Sequence, residues 1–157
     1  MLNLKIYRTR PNARLPTRAH QSDAGIDLYY CPNGEKKLYD NTKDFFIPPR
    51  ESRLLPTGIR VEVPYGHMLE VKNKSGVAFK RQLLVGACVI DPGYDGEVYI
   101  NLHNVGTETQ MFQPGDKIAQ AVLVPIIHCN IEEVETDEKL NFYSRRGKGA
   151  FGSTGDR

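Results

Sequence analysis

The sequence predicts an all-β domain of the sandwich, barrel or jelly-roll kind, and three observations carry that expectation. Glycine (14) and proline (10) are spread over the whole length and cut the chain into short pieces. Several of those pieces alternate apolar and polar residues and are rich in Val, Ile and Tyr, the signature of half-buried strands. Only one short stretch has the makings of a helix. Frequent turn signals between many short strands fit closed or packed antiparallel sheets. A length of 157 residues favours one domain with a sizeable core.

Taken in order, "LNLKIY" (2–7) is the first alternating stretch. "DAGIDLYY" (23–30) places Asp27 between apolar residues, so it either faces solvent or has a task. "GIRVEVP" (58–64) puts Ile59, Val61 and Val63 on one face and Arg60 and Glu62 on the other. "HMLEVK" (67–72) repeats the pattern. "SGVAFKRQ" (75–82) is the candidate helix, with Ser75 as a possible N-cap and Lys74 just before it. Exposed N–H groups at Ser75-Gly76 suit a phosphate, and a plain cap explains them equally.

"GACVIDPGYDGEV" (86–98) carries Asp91 after an apolar strand, then a Pro92-Gly93 turn and Tyr94. Alone, this reads as a hairpin with a turn-forming aspartate. "EVYINLHNV" (97–105) sets Val98, Ile100 and Leu102 against Tyr99, Asn101 and His103. "PGDKIAQAVL" (114–123) enters a dense apolar run, 118–127, that reads as a strand buried on both faces. Gln120 interrupts it, as a hydrogen-bonded core glutamine would. The acidic "EEVETDEK" (132–139) reads as a hinge. Beyond it "RRGKGAFGSTGDR" (145–157) combines four glycines and four cations with one isolated ring, Phe151. Ordering such a segment costs much backbone entropy.

Composition narrows the function. Hydrophobic content of 39% and charged content of 25% are ordinary for a globular protein. A formal charge of +2 gives no broad footprint for nucleic acid. Basic residues gather at the end, at Arg145, Arg146, Lys148 and Arg157, which suits a local anion site. Cys31, Cys88 and Cys129 are far apart and form no CxxC pair, so free thiols in a reducing, intracellular compartment are expected. No apolar run approaches membrane-spanning length, and "MLNLKIYRTR" holds no long apolar leader.

The set "DAGIDL", "KSGVAF", "GACVIDPGYDG", "GDKIAQ" and "RGKGAFGSTG" closely resembles, in order, the five motifs of the trimeric dUTPase family. The match runs from about residue 8 to 155. It implies a β jelly-roll body (residues 1–140), a Gly-rich C-terminal arm (141–157) and a homotrimer with sites shared between subunits. The implied reaction is dUTP and water to dUMP and diphosphate, which limits uracil in DNA and supplies dUMP for dTMP synthesis. Neither nucleic acid nor a membrane is an expected partner.

By that resemblance Asp91 orients and deprotonates the water that attacks the α-phosphorus, within the range of general base catalysis. Tyr94 packs under the deoxyribose and leaves no room for a 2′-hydroxyl. The backbone around Cys88 and Val89 binds the uracil edge in a hairpin too tight for a 5-methyl group. Lys74, Ser75, Gly76 and Gln120 serve the phosphates. Arg146 meets the terminal phosphate, Phe151 stacks on the base, and Gly152, Ser153 and Thr154 bring backbone and hydroxyl groups close. Mg²⁺ is held mainly by the phosphates and waters, with Asp27 reaching it through water.

Two positions depart from the family pattern. Lys74 stands where arginine is usual, keeping the charge and losing the planar fork. Cys88 stands where glycine is usual. Two rivals share the fold or the site. A dCTP deaminase also carries a "DPG" turn, but its acid/base glutamate is matched here by Asn101, which cannot serve. A non-catalytic nucleotide-binding trimer is the other, and the presence of Asp91, Tyr94 and Phe151 together weighs against it.

Overall fold

The computed structural model describes residues 2–34 and 44–142. The chain falls into two compact units, Met1–Ile127 and His128–Arg157. The first carries every described strand. In chain order these are β1 (Lys5–Arg8), β2 (Ile26–Tyr29), β3 (Phe45–Ile47), β4 (Ser52–Pro56), β5 (Ile59–Glu62) and β6 (His67–Lys72). A single helix, α1 (Ser75–Arg81), follows. Then come β7 (Leu83–Val85), β8 (Val89–Ile90), β9 (Tyr99–Asn104), β10 (Gln110–Phe112) and β11 (Lys117–Pro125).

All strand pairs are antiparallel. The orders are β2-β11-β6-β8, β4-β9-β7, β1-β5 and β10-β3. Alternation is realised as expected in β5, where Ile59 and Val61 are buried and Arg60 and Glu62 exposed. In β9, Ile100, Leu102 and Asn104 point inward. The core joins Leu28, Ile47, Leu55, Leu69, Phe112 and Ile118, each at most 1% exposed. Burial on this scale removes about 1.5–3 kcal/mol per large side chain from contact with water.

β2 is buried at all four positions: β11 pairs along one edge and Thr17 bridges to Asp27, Ile26 and Leu28 join the core, and Asp27 and Tyr29 are covered by Lys74, Lys117 and Thr17. β11 is doubly buried only in its first half, through Ile118, Ala119 and Ala121. It ends at Pro125, short of the expected 127, and Ile127 is 95% exposed. The proline lacks the N–H that would continue the ladder.

The helix keeps its expected place but not its expected cap. Lys74, extended at φ −89°, occupies the N-cap position and no side chain caps the helix, so Ser75 is the first helical residue. Gln82 closes α1 in the left-handed conformation, its N–H bonding the Val77 carbonyl. Arg81 ties the helix to β10. Its guanidinium lies 3.8 Å from the Phe112 ring centre and donates to Gln110 Oε1 at 3.1 Å.

The second unit is described from His128 to Phe142. It contains one short 3₁₀ turn, Asp137–Lys139, and an ion pair between Lys139 and Glu135 at 2.8 Å. Five of the described glycines have positive φ. At Gly58, φ is +72° and an added Cβ would lie 2.7 Å from that of Ala13, so both conformation and space require glycine.

Candidate active site

The motif residues collect in two places in the first unit. One is a cleft of about 320 Å³ lined by Leu54, Val71, Ala87, Val89, Ile90, Asp91, Tyr94, Val98 and Tyr99. β8 leads into it as the edge strand beside β6. Cys88 and Ile90 face β6: the Cys88 carbonyl accepts from Val71 N–H at 2.7 Å, and Ile90 is paired with Leu69. Because backbone groups alternate along a strand, the N–H and C=O of the intervening Val89 point outward, away from β6. The sheet therefore offers one donor and one acceptor at the mouth of the cleft.

After β8 the chain turns at once. Pro92 and Gly93, with φ +86° at Gly93, form a turn in which Tyr94 N–H bonds the Asp91 carbonyl at 3.3 Å. This is type II chemistry, proline followed by a residue that must accept positive φ. The turn leaves the Asp91 carboxylate exposed and folds the Tyr94 ring over Gly96. A Cβ at Gly96 would sit 2.6 Å from Tyr94 Cζ. The tyrosine hydroxyl donates to the Glu97 carbonyl at 2.9 Å, and the ring stays 48% exposed.

The expected hairpin is not formed: β7 pairs with β9 and β8 with β6, so residues 86–88 are a connection between two sheets, and Gly86 in it packs against β9. Its N–H bonds the Asn101 carbonyl at 2.9 Å. The Asn101 side-chain oxygen accepts from Ala87 N–H at 3.3 Å and lies 3.0 Å from His103 Nε2. Asn101, the position weighed against a deaminase glutamate, thus buttresses the loop as an amide.

The second place is built around Asp27. It is 4% exposed, which rules out the solvent-facing reading. Lys74 Nζ lies 2.8 Å from Oδ1 and Lys117 Nζ 2.6 Å from Oδ2. Burial is the largest single influence on this carboxyl and pushes it up. The hydrogen bonds and charges of Lys117 and Lys74 together outweigh burial and hold it below the ordinary aspartate range. Asp27 in turn raises the Lys117 ammonium. Gln120 is half-buried between β2 and β6, and its amide donates to the Asn73 carbonyl at 2.9 Å. Ser75 and Gly76 are exposed beside Lys74, with open space around the Gly76 Cα. The two places are joined through β6: Val71 lines the cleft, and the chain leaves the strand after Lys72 and reaches Lys74 two residues on.

Arg146, Phe151, Gly152, Ser153 and Thr154 lie outside the described residues. Sequence reasoning passed over Lys117, Asn73, Asn101 as a buttress, and Glu97 as the partner of Tyr94. Among the described residues no group of three His, Cys, Asp or Glu is arranged to hold a metal ion. No helix there is long and apolar enough to cross a membrane.

The chain resembles known proteins in sequence and in fold. The dUTPase family model matches residues 11–155. A deoxyuridine 5′-triphosphate nucleotidohydrolase of Clostridium tetani is 40% identical over 154 residues, covering 97% of this chain and 96% of the relative. A mutant dUTPase of Staphylococcus bacteriophage 80alpha, solved with dUpNHpp, superposes with a TM-score of 0.81 at 26% identity and 99% coverage of both chains. A mutant dUTPase from phage phi11 of S. aureus, whose structure concerns coordination of a structural Mg(II) ion, gives 0.73 at 26% identity, covering 87% of this chain and 99% of its own. The fold is the β jelly roll expected, and the chain belongs to the dUTPase family.

Proposed function

We propose that the chain hydrolyses dUTP to dUMP and diphosphate, with the reacting end of the substrate in the Asp91 cleft. The observation that carries this reading is one cleft holding an exposed carboxylate at Asp91, an outward backbone edge at Val89 and a half-exposed ring at Tyr94. The Val89 donor and acceptor match the edge of uracil, with the Cys88 thiol half-buried beside them. Tyr94 forms the floor under the deoxyribose. Asp91 takes a proton from water as its oxygen bonds the α-phosphorus and the bond to the bridging oxygen breaks. Diphosphate leaves, and the proton on the carboxylate passes to solvent.

Lys74, Ser75, Gly76 and Gln120 form the phosphate-facing group. We infer a homotrimer in which these residues and the Asp91 cleft of another subunit complete one site. The body (1–140) would carry both groups and the arm (141–157) would close them, with Phe151 on the base, Arg146 at the terminal phosphate, and Gly152, Ser153 and Thr154 along the chain of phosphates. The lack of a protein metal cage among the described residues fits a Mg²⁺ that arrives on the triphosphate. Bound there, the ion would neutralise phosphate charge. Asp27 is the carboxylate placed to meet its water, provided one of the two lysines lets go. Free thiols at all three cysteines fit an intracellular setting.

The test is diphosphate release from dUTP, dCTP, dTTP and UTP side by side. Turnover of dUTP alone is expected, and uracil formation from dCTP would restore the deaminase. Asp91→Asn should lower kcat by about 10²–10⁴-fold, the range of a general base, with dUTP binding retained. Near-normal turnover would remove Asp91 from that role.

A further inference from the structure

Glu97 is not part of the cleft wall, yet its carboxylate is fixed by three donors. Arg10 Nη1 donates to Oε2 at 2.8 Å, Arg10 Nη2 to Oε1 at 2.5 Å, and Gly58 N–H to Oε1 at 2.8 Å. Arg10 also donates to the Cys31 carbonyl at 3.1 Å. The two side chains are only 21% and 14% exposed. A buried ion pair of this kind is weak evidence for stability, because an apolar pair of like volume often serves as well. What a bidentate arginine–carboxylate fork does supply is fixed geometry.

That geometry ends at Tyr94. The carbonyl of Glu97 accepts the Tyr94 hydroxyl at 2.9 Å. The next residue is pinned too, with Val98 N–H on the Ile59 carbonyl at 2.9 Å and its own carbonyl bonded by Thr57 Oγ1 at 2.6 Å. Tyr94 is 48% exposed, so packing alone does not fix the ring. Tyr94 also borders two spaces. It lines the Asp91 cleft and a groove of about 390 Å³ lined by Tyr7, Arg60, Gly93 and Asp95 among others. No other described residue lines both. A ring that swung away would join the two spaces.

We propose that Arg10 and Glu97 are positioning residues for Tyr94, and through it set discrimination against a 2′-hydroxyl on the substrate sugar. The proposal rests on the reading of Tyr94 as the sugar floor. With the fork intact, the Glu97 backbone stays put and the hydroxyl bond holds the ring as a wall. With the fork broken, the ring gains freedom, and the space behind it accepts the extra oxygen of UTP.

The experiment compares kcat/KM for dUTP and for UTP in the full-length protein and in Glu97→Gln, Arg10→Met, Arg10→Lys, Tyr94→Phe and Tyr94→Ala, with melting temperature in parallel. Glu97→Gln, Arg10→Met and Tyr94→Phe should each reduce the dUTP/UTP preference by roughly five- to ten-fold, the scale of one hydrogen bond. Arg10→Lys should recover part of it. The Arg10→Met/Tyr94→Phe double variant should be no less selective than Tyr94→Phe alone, since both changes cut the same linkage. Tyr94→Phe and the near-isosteric Glu97→Gln decide the matter if Arg10→Met does not fold. If Tyr94→Ala relaxes the preference while Arg10→Met and Glu97→Gln lower only the melting temperature, the ion pair is structural and the proposal is overturned alone. If Tyr94→Ala leaves the preference intact, the sugar-floor reading fails and takes the proposal with it.

Discussion

Asp27 sits in a four-residue strand that is buried throughout, and an aspartate there must be compensated. Two ammonium groups do so, Lys74 on Oδ1 and Lys117 on Oδ2. Its carboxyl is held below the ordinary range, so the folded state binds the proton less tightly than the unfolded chain. The stability this contributes is present above the unfolded value near 3.9 and is lost as pH falls through the lower folded value. Asp27→Asn should therefore cost about 1.5–3 kcal/mol at neutral pH, the scale of hydrogen bonds to a charged group. The gap from wild type should begin to narrow below about pH 4, where the carboxyl of the unfolded chain takes up a proton, and should close only below the lower folded value. Urea unfolding at pH 7 and pH 3 checks this, and a gap independent of pH would mean the lysines do not act through charge. Sequence alone left open whether Asp27 was exposed, because an isolated aspartate among apolar residues carries no sign of its neighbours. Lys117 was not legible as a partner for the same reason. It meets Asp27 only through the register of β11 on β2, which shifts between Lys117 and Ala119.

At the scale of elements, the connection from β7 to β8 before Asp91 depends on a fit between Gly86 and β9. An alanine Cβ at position 86 would stand 2.1 Å from Asn101 Oδ1 and 2.4 Å from His103 Nε2. Both are side-chain ends, so they can yield, but Asn101 would then release Ala87 N–H. Gly86→Ala should cost about 1–3 kcal/mol, typical of overpacking, and should raise KM for dUTP more than it lowers kcat. Adding Asn101→Ala makes room and should restore part of the stability while leaving KM high. Steady-state kinetics with a melting curve on both variants tests this, and an unchanged KM in Gly86→Ala would detach the buttress from base binding. The long alternating strands and α1 were readable because four or more residues reveal a period. β3, β7 and β10 have three residues each, too few for any period to show, and pairing with distant partners decides them. The cap of α1 was misread because Ser75 is a good capping residue by type. Lys74, paired with Asp27, instead stands at the cap, and Ser75 is left exposed as the first helical residue.

For the whole molecule, the last described strand ends at Pro125, and the described core draws on residues from Ala13 to Ala121, upstream of the proposed arm. The proposed arm holds Phe151 in a glycine-rich, cationic stretch with little apolar surface to bury locally, so its worth would come only with substrate. Deleting residues 146–157 should therefore leave a folded particle of about three chain masses by light scattering. A stable, active monomer would remove the shared-site trimer. Single-turnover hydrolysis of dUTP by the truncated protein should fall by at least about a hundred-fold, because a misplaced phosphate chain loses alignment with the attacking water. Phe151→Ala in the full chain should be milder, weakening dUTP binding by about 1–3 kcal/mol, the scale of one base stacked on an aromatic ring. The two variants separate two roles of the arm. Positioning and water exclusion by the backbone and Arg146 would appear in the chemical step, and stacking by Phe151 would appear in affinity. A truncated trimer that turns over dUTP at the full-length rate would make the segment a linker, and the isolated ring at 151 would need another partner.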